Sequence, residues 1–191
     1  MSPRTKEQNE AIREDKRQII LDAALHVFSE DSYHGASMSK IAVRANVSKG
    51  LTYNYFESKE ELLKTLMIEI ADKFLERIEM PSSGKLLDED VVRFINISFD
   101  MVLEDIPLSK LFFSVYTQQD VMALISDKLM DRIVPYMNVM NAYFKDKGYE
   151  DPMATMRYFN ASIDGIQMHI IMDPTFPVEP VKQLLIKQFV K

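Results

Sequence analysis

The chain contains no cysteine, and only five of its 191 residues are glycine. Without cysteine it forms no disulfide and offers no thiolate to a metal ion. The three histidines, His26, His34 and His169, are too scattered along the chain to suggest a metal site. No apolar run approaches the roughly 18 to 20 residues that a membrane-spanning helix needs. We therefore expect a cytoplasmic protein with no cofactor, no export signal and no membrane partner.

The composition that remains is that of a folded, helical protein. Hydrophobic residues make up 47% of the chain, which is enough for one or two compact domains with a real core. Apolar residues recur at helical spacing between the few glycines and prolines, and no stretch alternates as a strand does. The predicted fold class is all-α.

A helix, a short turn and a second helix are predicted between residues 37 and 59. Ser37 is a suitable N-cap, and the apolar residues after it follow the spacing of one buried helical face. Asn46 tolerates a left-handed backbone, so it can end this helix and reverse the chain. Ser48 then caps the second helix, and Ser58 with Glu61 forms the capping box of a third. Three helix starts in so short a segment indicate a DNA-reading helix-turn-helix.

The charge of this segment also favours DNA binding. The protein carries a net charge of −6, yet residues 37–59 hold four cations against the single anion Glu57, a local balance of +3. An acidic protein with one basic face is attracted to phosphates only through that face. Scattered lysines on a solvated helix would explain the charge alone, but not the charge together with the motif.

These residues resemble the tetracycline-repressor (TetR) family of bacterial transcriptional regulators. The resemblance covers about the first third of the chain, and it lies in Ile41-Ala42, Val47-Ser48-Lys49-Gly50, Tyr53-x-Tyr55-Phe56 and Ser58-Lys59-Glu60-Glu61-Leu62-Leu63. It implies an all-helical dimer with a three-helix DNA-binding domain, a long fourth helix and a divergent effector-binding domain. We accordingly divide the chain into a helix-turn-helix domain (1–58), a connecting helix (59–80) and an effector-binding and dimerisation domain (81–191).

The remaining helices are predicted from apolar periodicity, prolines and glycines. They cover Lys16–Ser29, Ser58 to before Pro81, Asp88–Glu104, Pro107–Thr117, Asp120–Lys147, Pro152–Met172 and Val178–Val190. Pro135 lies inside one of these patterns and should kink that helix or split it in two.

The predicted DNA contacts centre on the helix that begins after Ser48. Lys49 is the first choice for a base contact, because a lysine near the start of a recognition helix can reach guanine O6 and N7. Tyr53, Asn54 and Lys59 are assigned to DNA phosphates, which fix the register, and Ser37 and Ser39 add to these contacts. Gly50 lets the helix backbone approach the DNA closely. The full set is Ser37, Ser39, Lys40, Ser48, Lys49, Gly50, Leu51, Tyr53, Asn54 and Lys59. Arg4 and Lys6 either enter a minor groove or belong to a mobile tail.

One departure from the family pattern concerns Leu51 and Thr52. The family usually has a larger apolar residue, buried against the first helix, in the slot of Thr52, and a small or polar residue facing DNA in the slot of Leu51. Here the two are exchanged. Leu51 then contacts a thymine methyl group, or the helix is slightly rotated.

A flexible apolar pocket is predicted in the C-terminal two thirds, where methionines and aromatic residues are concentrated. For any single residue, ordinary core packing is the simpler explanation. The candidate effector-pocket residues are Met101, Phe113, Tyr116, Met137, Met140, Tyr143, Phe159, Ser162 and Gln167.

The resemblance also implies that the last two long helices pair with those of a second copy. Small side chains one turn apart near Gly165 would allow close helix approach, although packing within one chain explains them as well. The candidate interface residues are Ala161, Gly165, Ile166, His169, Leu184, Leu185 and Gln188.

The predicted function is that of a repressor that binds a palindromic operator as a homodimer and is released by a small, largely apolar effector. The alternative is a helical small-molecule-binding or interaction protein without operator binding. No convergent nucleophile, base or metal constellation suggests an enzyme.

Overall fold

The computed structural model describes residues 5–81 and 83–190, and in these residues all regular secondary structure is α-helical. The helices are α1 (Lys6–Gly35), α2 (Met38–Arg44), α3 (Lys49–Tyr55), α4 (Lys59–Ile78), α5 (Asp88–Glu104), α6 (Ile106–Thr117), α7 (Gln119–Asp146), α8 (Pro152–Met172) and α9 (Val178–Phe189). The predicted all-α fold class is confirmed, and α5 and α8 have the predicted bounds. None of the described helices combines the length and apolarity that crossing a bilayer requires.

Helix α1 begins ten residues earlier than Lys16, so the predicted start was wrong. Thr5 and Gln8 form a capping box, in which the Gln8 amide donates to Thr5 Oγ1 at 3.2 Å and the Thr5 amide donates to Gln8 Oε1 at 3.1 Å. This box satisfies two amides that would otherwise lack partners at the helix start. Lys6 is therefore helical, whereas Arg4 lies outside the described residues.

Pro135 lies within α7, which runs without a break from Gln119 to Asp146. Of the two expected effects the splitting is wrong, and a kink at Pro135 stays a prediction. Proline still removes one donor from the hydrogen-bond ladder, because the carbonyl of Asp131 faces a nitrogen that carries no hydrogen.

Two compact units divide the chain. The N-terminal unit comprises the described residues up to Met67 together with Lys110–Ile125. Its core contains fully buried side chains from α1, α2 and α4, including Leu21, Phe28 and Ile41. The predicted domain limits at residues 58 and 80 divide the chain by expected function, whereas the two units are defined by packing. These limits therefore stay a prediction.

The C-terminal unit comprises Ile68–Ser109 and the described residues from Ser126 onward. Aromatic rings dominate its core. Phe144 and Phe159 are fully buried, with ring centroids 5.7 Å apart, and Phe189 approaches Phe159 at 5.1 Å. Edge-to-face arrangements of this kind fill space efficiently and add specific attraction to the burial of apolar area.

Candidate functional site

The turn between α2 and α3 is built by residues with specific backbone roles. Ser37 caps α2 by accepting a hydrogen bond from the Lys40 amide at 3.2 Å. Asn46 has a positive φ of 51°, and the Val47 amide donates back to the Ala42 carbonyl at 3.0 Å. The predicted left-handed reversal at Asn46 is confirmed. It places the start of α3 directly after the end of α2.

Helix α3 presents a polar face to solvent. Ser48 caps it by accepting from the Leu51 amide at 3.1 Å. The exposed residues of its first turns are Lys49, Gly50, Tyr53 and Asn54. Apart from its chain neighbours and the backbone of its own helix, no described atom lies within 4 Å of the position that a Cβ at Gly50 would occupy, so internal packing does not demand glycine there.

Thr52 occupies the buried side of α3, as the exchanged pattern predicts. It is fully buried, and its hydroxyl donates to the Lys49 carbonyl at 2.7 Å. This bond lets a polar side chain occupy an apolar site at little cost. Leu51 is half-buried beside it, so part of its apolar surface is available outside the core.

The capping box at the start of α4 is modified. Ser58 Oγ accepts from the Glu61 amide at 3.0 Å, as predicted. The Glu61 carboxylate, however, accepts from the amide of Glu57 rather than from that of Ser58. The hydrogen bond from the backbone to the Glu61 side chain thus begins one residue earlier than in a standard capping box. It still ties Glu57 to the start of α4.

Lys59 points toward the end of α1. Its ammonium donates to the carbonyls of Tyr33 at 2.7 Å and Ala36 at 3.2 Å, and it lies 4.2 Å from the centre of the Tyr33 ring. Burial lowers the pKa of Lys59 and, as the largest of several influences, raises that of Tyr33. A phosphate contact by Lys59 stays a prediction, and it requires that this ammonium share or exchange partners.

The candidate effector residues divide between the two units. Met140, Tyr143 and Phe159 are buried in the core of the C-terminal unit, and Met137 packs against that core. Met101, Ser162 and Gln167 are half-buried in the same unit. Phe113 and Tyr116 belong to the N-terminal unit, where Phe113 is buried and Tyr116 is 54% exposed.

Three of these candidates already have polar partners. The Tyr143 hydroxyl donates to Asp88 at 2.9 Å, and Gln167 donates to the Ser98 carbonyl at 2.7 Å. Ser162 donates to a carbonyl within its own helix. Burial and the Asp88 carboxylate together hold the pKa of Tyr143 well above its usual range. These contacts anchor α5 to α7 and α8 within the C-terminal unit.

Sequence reasoning missed the buried polar groups that lack a partner. Tyr136 is buried with its ring stacked 5.0 Å from Phe94, and its hydroxyl finds no hydrogen-bond partner among the described residues. Asn141 Oδ1 is likewise buried and unpaired. Each such group costs free energy unless a bound molecule satisfies it. No local sequence signal identifies them, because their burial depends on tertiary packing.

Asp164 is a further missed residue, and the sequence carries a signal for it. It lies between Ile163 and Gly165, and it is the only Asp, Glu, Lys or Arg in residues 158–172. It has neither an ion-pair nor a hydrogen-bond partner in the described part of the chain. Burial raises the pKa of its carboxyl group to about 6. Across the described residues, no cluster of side chains is suited to a metal ion.

Replacing Asp164 by asparagine is expected to stabilise the protein at pH 7.5 and to change little at pH 4. The raised pKa means that the folded state binds the proton more tightly than the unfolded chain. The wild-type carboxyl group therefore contributes its full stability below about pH 4, and this contribution is lost as the pH rises through 6. Because the side chain remains partly exposed, we expect a gain of about 1 to 2 kcal/mol at pH 7.5 rather than the full shift. Melting temperatures of both proteins at the two pH values measure it.

Asp173 provides the control for this prediction. Hydrogen bonds from Thr175 lower the pKa of Asp173, so Asp173→Asn should lose stability at pH 7.5 instead of gaining it. An equal gain for the Asp164 variant at both pH values would show that burial of the charge is not the cause.

The candidate interface residues of α8 and α9 are mostly on the surface. Leu184 is 67% exposed, and Ala161, Gly165, His169 and Gln188 are also exposed. Ile166 is half-buried. Leu185 is different, because it is buried in the core of its own unit. Its side chain therefore supports the chain's own fold.

A stripe of small and apolar residues runs along the exposed side of α8. We call it the α8 stripe, and its members are Ala154, Tyr158, Ala161, Gly165, Met168 and Met172. They are separated alternately by four and three residues, which places them on one side of the helix. An apolar stripe of this length in water is typical of a surface that another helix covers.

The Ser37 and Ser48 caps and the left-handed turn at Asn46 together form a helix-turn-helix. Residues 20–66 match the family described as bacterial regulatory proteins, tetR family. Over these residues the chain resembles this family, as the motifs predicted. The resemblance stated from the motifs is confirmed.

Known relatives resemble the chain over different lengths. The fatty acid metabolism regulator protein of Bacillus subtilis (strain 168) is 45% identical over 60 residues, which are 31% of this chain and 31% of that protein. The fatty acid degradation regulator FadR of Bacillus halodurans aligns at a TM-score of 0.69 and 27% identity, covering 88% of this chain and 97% of that chain. FadR of Bacillus subtilis in complex with stearoyl-CoA aligns at a TM-score of 0.74 and 22% identity, covering 91% and 97%.

These comparisons differ in what they imply. The chain spans about a third of the length of this curated relative, and the family match covers residues 20–66, which include the helix-turn-helix. The likeness to FadR of Bacillus subtilis shows the fold alone. The chemistry of the C-terminal unit is therefore judged from its own residues.

Proposed function

We propose that this protein is a ligand-responsive transcriptional regulator that binds double-stranded DNA through α3. The observation that carries the proposal is the exposed face of α3, where Lys49, Tyr53 and Asn54 project from a helix fixed by the Ser48 cap and the Asn46 turn. A short helix held in this way enters a major groove with its first turns against base edges. Lys49 reads a guanine, and Tyr53 and Asn54 bind phosphates.

The operator is a palindrome, and the protein binds it as a homodimer. The α8 stripe and the exposed Leu184 of α9 supply the apolar surface for pairing with a second copy. Two-fold pairing presents two α3 helices to major grooves roughly 34 to 36 Å apart, so the half-sites are one helical turn apart.

Binding to DNA is the direct test of this function. Wild-type protein is titrated at low salt onto a duplex that carries the palindrome upstream of its own gene, and onto a scrambled duplex of equal length. We expect preference for the palindrome, two chains per duplex, and affinity that falls steeply with salt. Equal affinity for both duplexes would contradict operator recognition and would favour a helical interaction protein.

The effector is a small molecule with a long apolar part, and its binding releases the operator. Met137, Met140 and Phe159 provide adaptable apolar surroundings in the C-terminal unit, and Tyr136 and Asn141 offer polar atoms that lack partners. Stearoyl-CoA in complex with FadR of Bacillus subtilis is a molecule of this kind. Stearoyl-CoA and free stearate are therefore the first probes, with operator release and a raised melting temperature as the expected results.

Tyr136→Phe is expected to weaken effector binding without lowering stability. The hydroxyl is buried without a partner, so its removal should leave the free energy of unfolding unchanged or raise it by about 1 kcal/mol. Losing a polar contact to the effector should reduce affinity roughly tenfold. Chemical denaturation and calorimetric titration with stearoyl-CoA measure the two effects.

Tyr143→Phe is the matched control. Its hydroxyl is bonded to Asp88, so this variant should lose stability by about 1 to 2 kcal/mol. If Tyr136→Phe destabilised the protein as much as Tyr143→Phe, the Tyr136 hydroxyl would have a protein partner after all, and its assignment to the effector would be wrong.

A further inference from the structure

Three of the four cations in residues 37–59 have partners on α1 in this structure. Lys40, Arg44 and Lys59 each contact the last turns of this helix. Lys49 does not; its ammonium lies 6.0 Å from the centre of the Tyr53 ring. Lys49, the cation assigned to base reading, thus differs from the other three, which are held against α1.

Two carboxylates make the direct ion pairs. Asp31 Oδ2 lies 2.6 Å from Lys40 Nζ, and Glu30 Oε2 lies 2.7 Å from an Arg44 guanidinium nitrogen. Lys40 also donates to the Gly35 carbonyl at 3.0 Å. We call Glu30 and Asp31 the acidic pair. It presents carboxylate oxygens to the same donors that DNA phosphates would use.

These ion pairs contribute little to folding. The four side chains remain 37% to 55% exposed. Exposed pairs of this kind contribute only about 0 to 1 kcal/mol, because water and salt screen them. The partners are consequently easy to exchange, and a phosphate oxygen can replace a carboxylate oxygen without unfolding the helix ends.

We propose that the acidic pair is an internal competitor that limits the affinity of this protein for DNA of any sequence. The inference rests on the proposed function, since it assumes that α2 and α3 meet DNA. A carboxylate that contacts a cation is close to any phosphate bound by the same cation. The distance between the two anions is well below the Debye length of about 8 to 10 Å, so the carboxylate repels the phosphate. Non-specific binding depends almost wholly on phosphate contacts, so the acidic pair suppresses it and leaves base reading by Lys49 to decide where the protein stays.

The opposite role is a defined alternative. The acidic pair would help binding if it held Lys40 and Arg44 in the orientation that phosphates require. The two roles predict opposite changes in DNA affinity when the carboxylates are neutralised. Affinity rises if a repulsive charge is removed, and it falls if a positioning contact is lost.

The experiment compares the double variant Glu30→Gln, Asp31→Asn with wild type on a random-sequence duplex and on the promoter duplex. Fluorescence anisotropy is recorded between 50 and 200 mM salt. The expected result is binding to random DNA about tenfold tighter at 50 mM salt, with a salt slope steeper by about 1.8, since each additional cation engaged adds about 0.9.

The matched control is the double variant Glu14→Gln, Asp22→Asn. Both residues are exposed on α1, and their partners are Arg17 and Gln18 rather than a cation of residues 37–59. This variant gains the same charge, so it isolates the contribution of position. Melting temperatures within about 2 °C of wild type establish that all variants are folded.

The outcomes separate this inference from the proposed function. If wild type prefers the promoter duplex but the acidic-pair variant binds random DNA no more tightly than the control variant, the competitor role is wrong. Weaker binding by the acidic-pair variant would assign it the positioning role instead. If wild type shows no preference for the promoter duplex, the proposed function fails whatever the variants do.

Discussion

Phe144→Ala is expected to lower the free energy of unfolding of the C-terminal unit by about 3 to 5 kcal/mol. Phe144 is fully buried, and its ring touches those of Tyr143, Tyr149, Phe159 and Phe189 at centroid distances of 5.3 to 6.1 Å. Removing the ring forfeits its transfer energy and leaves a cavity that four rigid neighbours cannot close. Among the large side chains of this unit, it has the most aromatic neighbours to lose.

Thermal and urea unfolding measure this effect. For a chain of this size the melting temperature should fall by about 6 to 20 °C. The control is Leu103→Ala, whose side chain is 52% exposed and whose loss should change stability by no more than about 0.5 kcal/mol. Equal effects of the two substitutions would mean that the aromatic core is not the main source of stability in this unit.

Lys49→Ala is expected to reduce operator affinity by about 5- to 150-fold, because one bidentate base contact is worth about 1 to 3 kcal/mol. Lys49 is exposed in the first turn of α3, the part of a recognition helix that reaches base edges. Affinity for random DNA should fall much less, since on such DNA the substitution removes only one positive charge that a phosphate attracts. Anisotropy titrations on the promoter and random duplexes give the ratio directly.

Lys16→Ala is the control, since it removes the same charge from an exposed position on α1. It should lower both affinities slightly and leave their ratio unchanged. If Lys49→Ala lowered binding to both duplexes by the same factor, Lys49 would contact phosphate rather than a base, and the reading residues would have to be sought at Leu51 or Asn54.

The helix-turn-helix was predictable because its signals are local. Serine caps, the left-handed Asn46 and the buried position of Thr52 each act within a few residues, and the structure contains all of them. The start of α1 was missed because eight of the first ten residues of that helix are polar or charged. A capping box at Thr5 holds this part in place, where no apolar periodicity marks a helix.

The effector region was less predictable because it depends on tertiary packing. Phe113 and Tyr116 follow Met101 closely in sequence, yet they belong to the other compact unit, since the division falls inside α6 after Ser109. Whether a buried polar atom finds a partner is also decided by residues far away in the chain. Tyr143 and Tyr136 illustrate this, because the Tyr143 hydroxyl meets Asp88, whereas the Tyr136 hydroxyl meets no hydrogen-bond partner in the part of the chain that the structure describes.

The open space around Gly50 has a consequence for how this regulator can evolve. Among the described residues outside its own stretch of helix, nothing would meet a Cβ there, and the residue stands in the exposed first turn of α3. Most replacements should also stabilise the helix, by about 0.5 to 1 kcal/mol for alanine. A single codon change at position 50 can therefore add a side chain to the exposed surface of α3 at no cost to folding. If α3 reads DNA as proposed, related proteins can acquire new target sequences by mutating this one position.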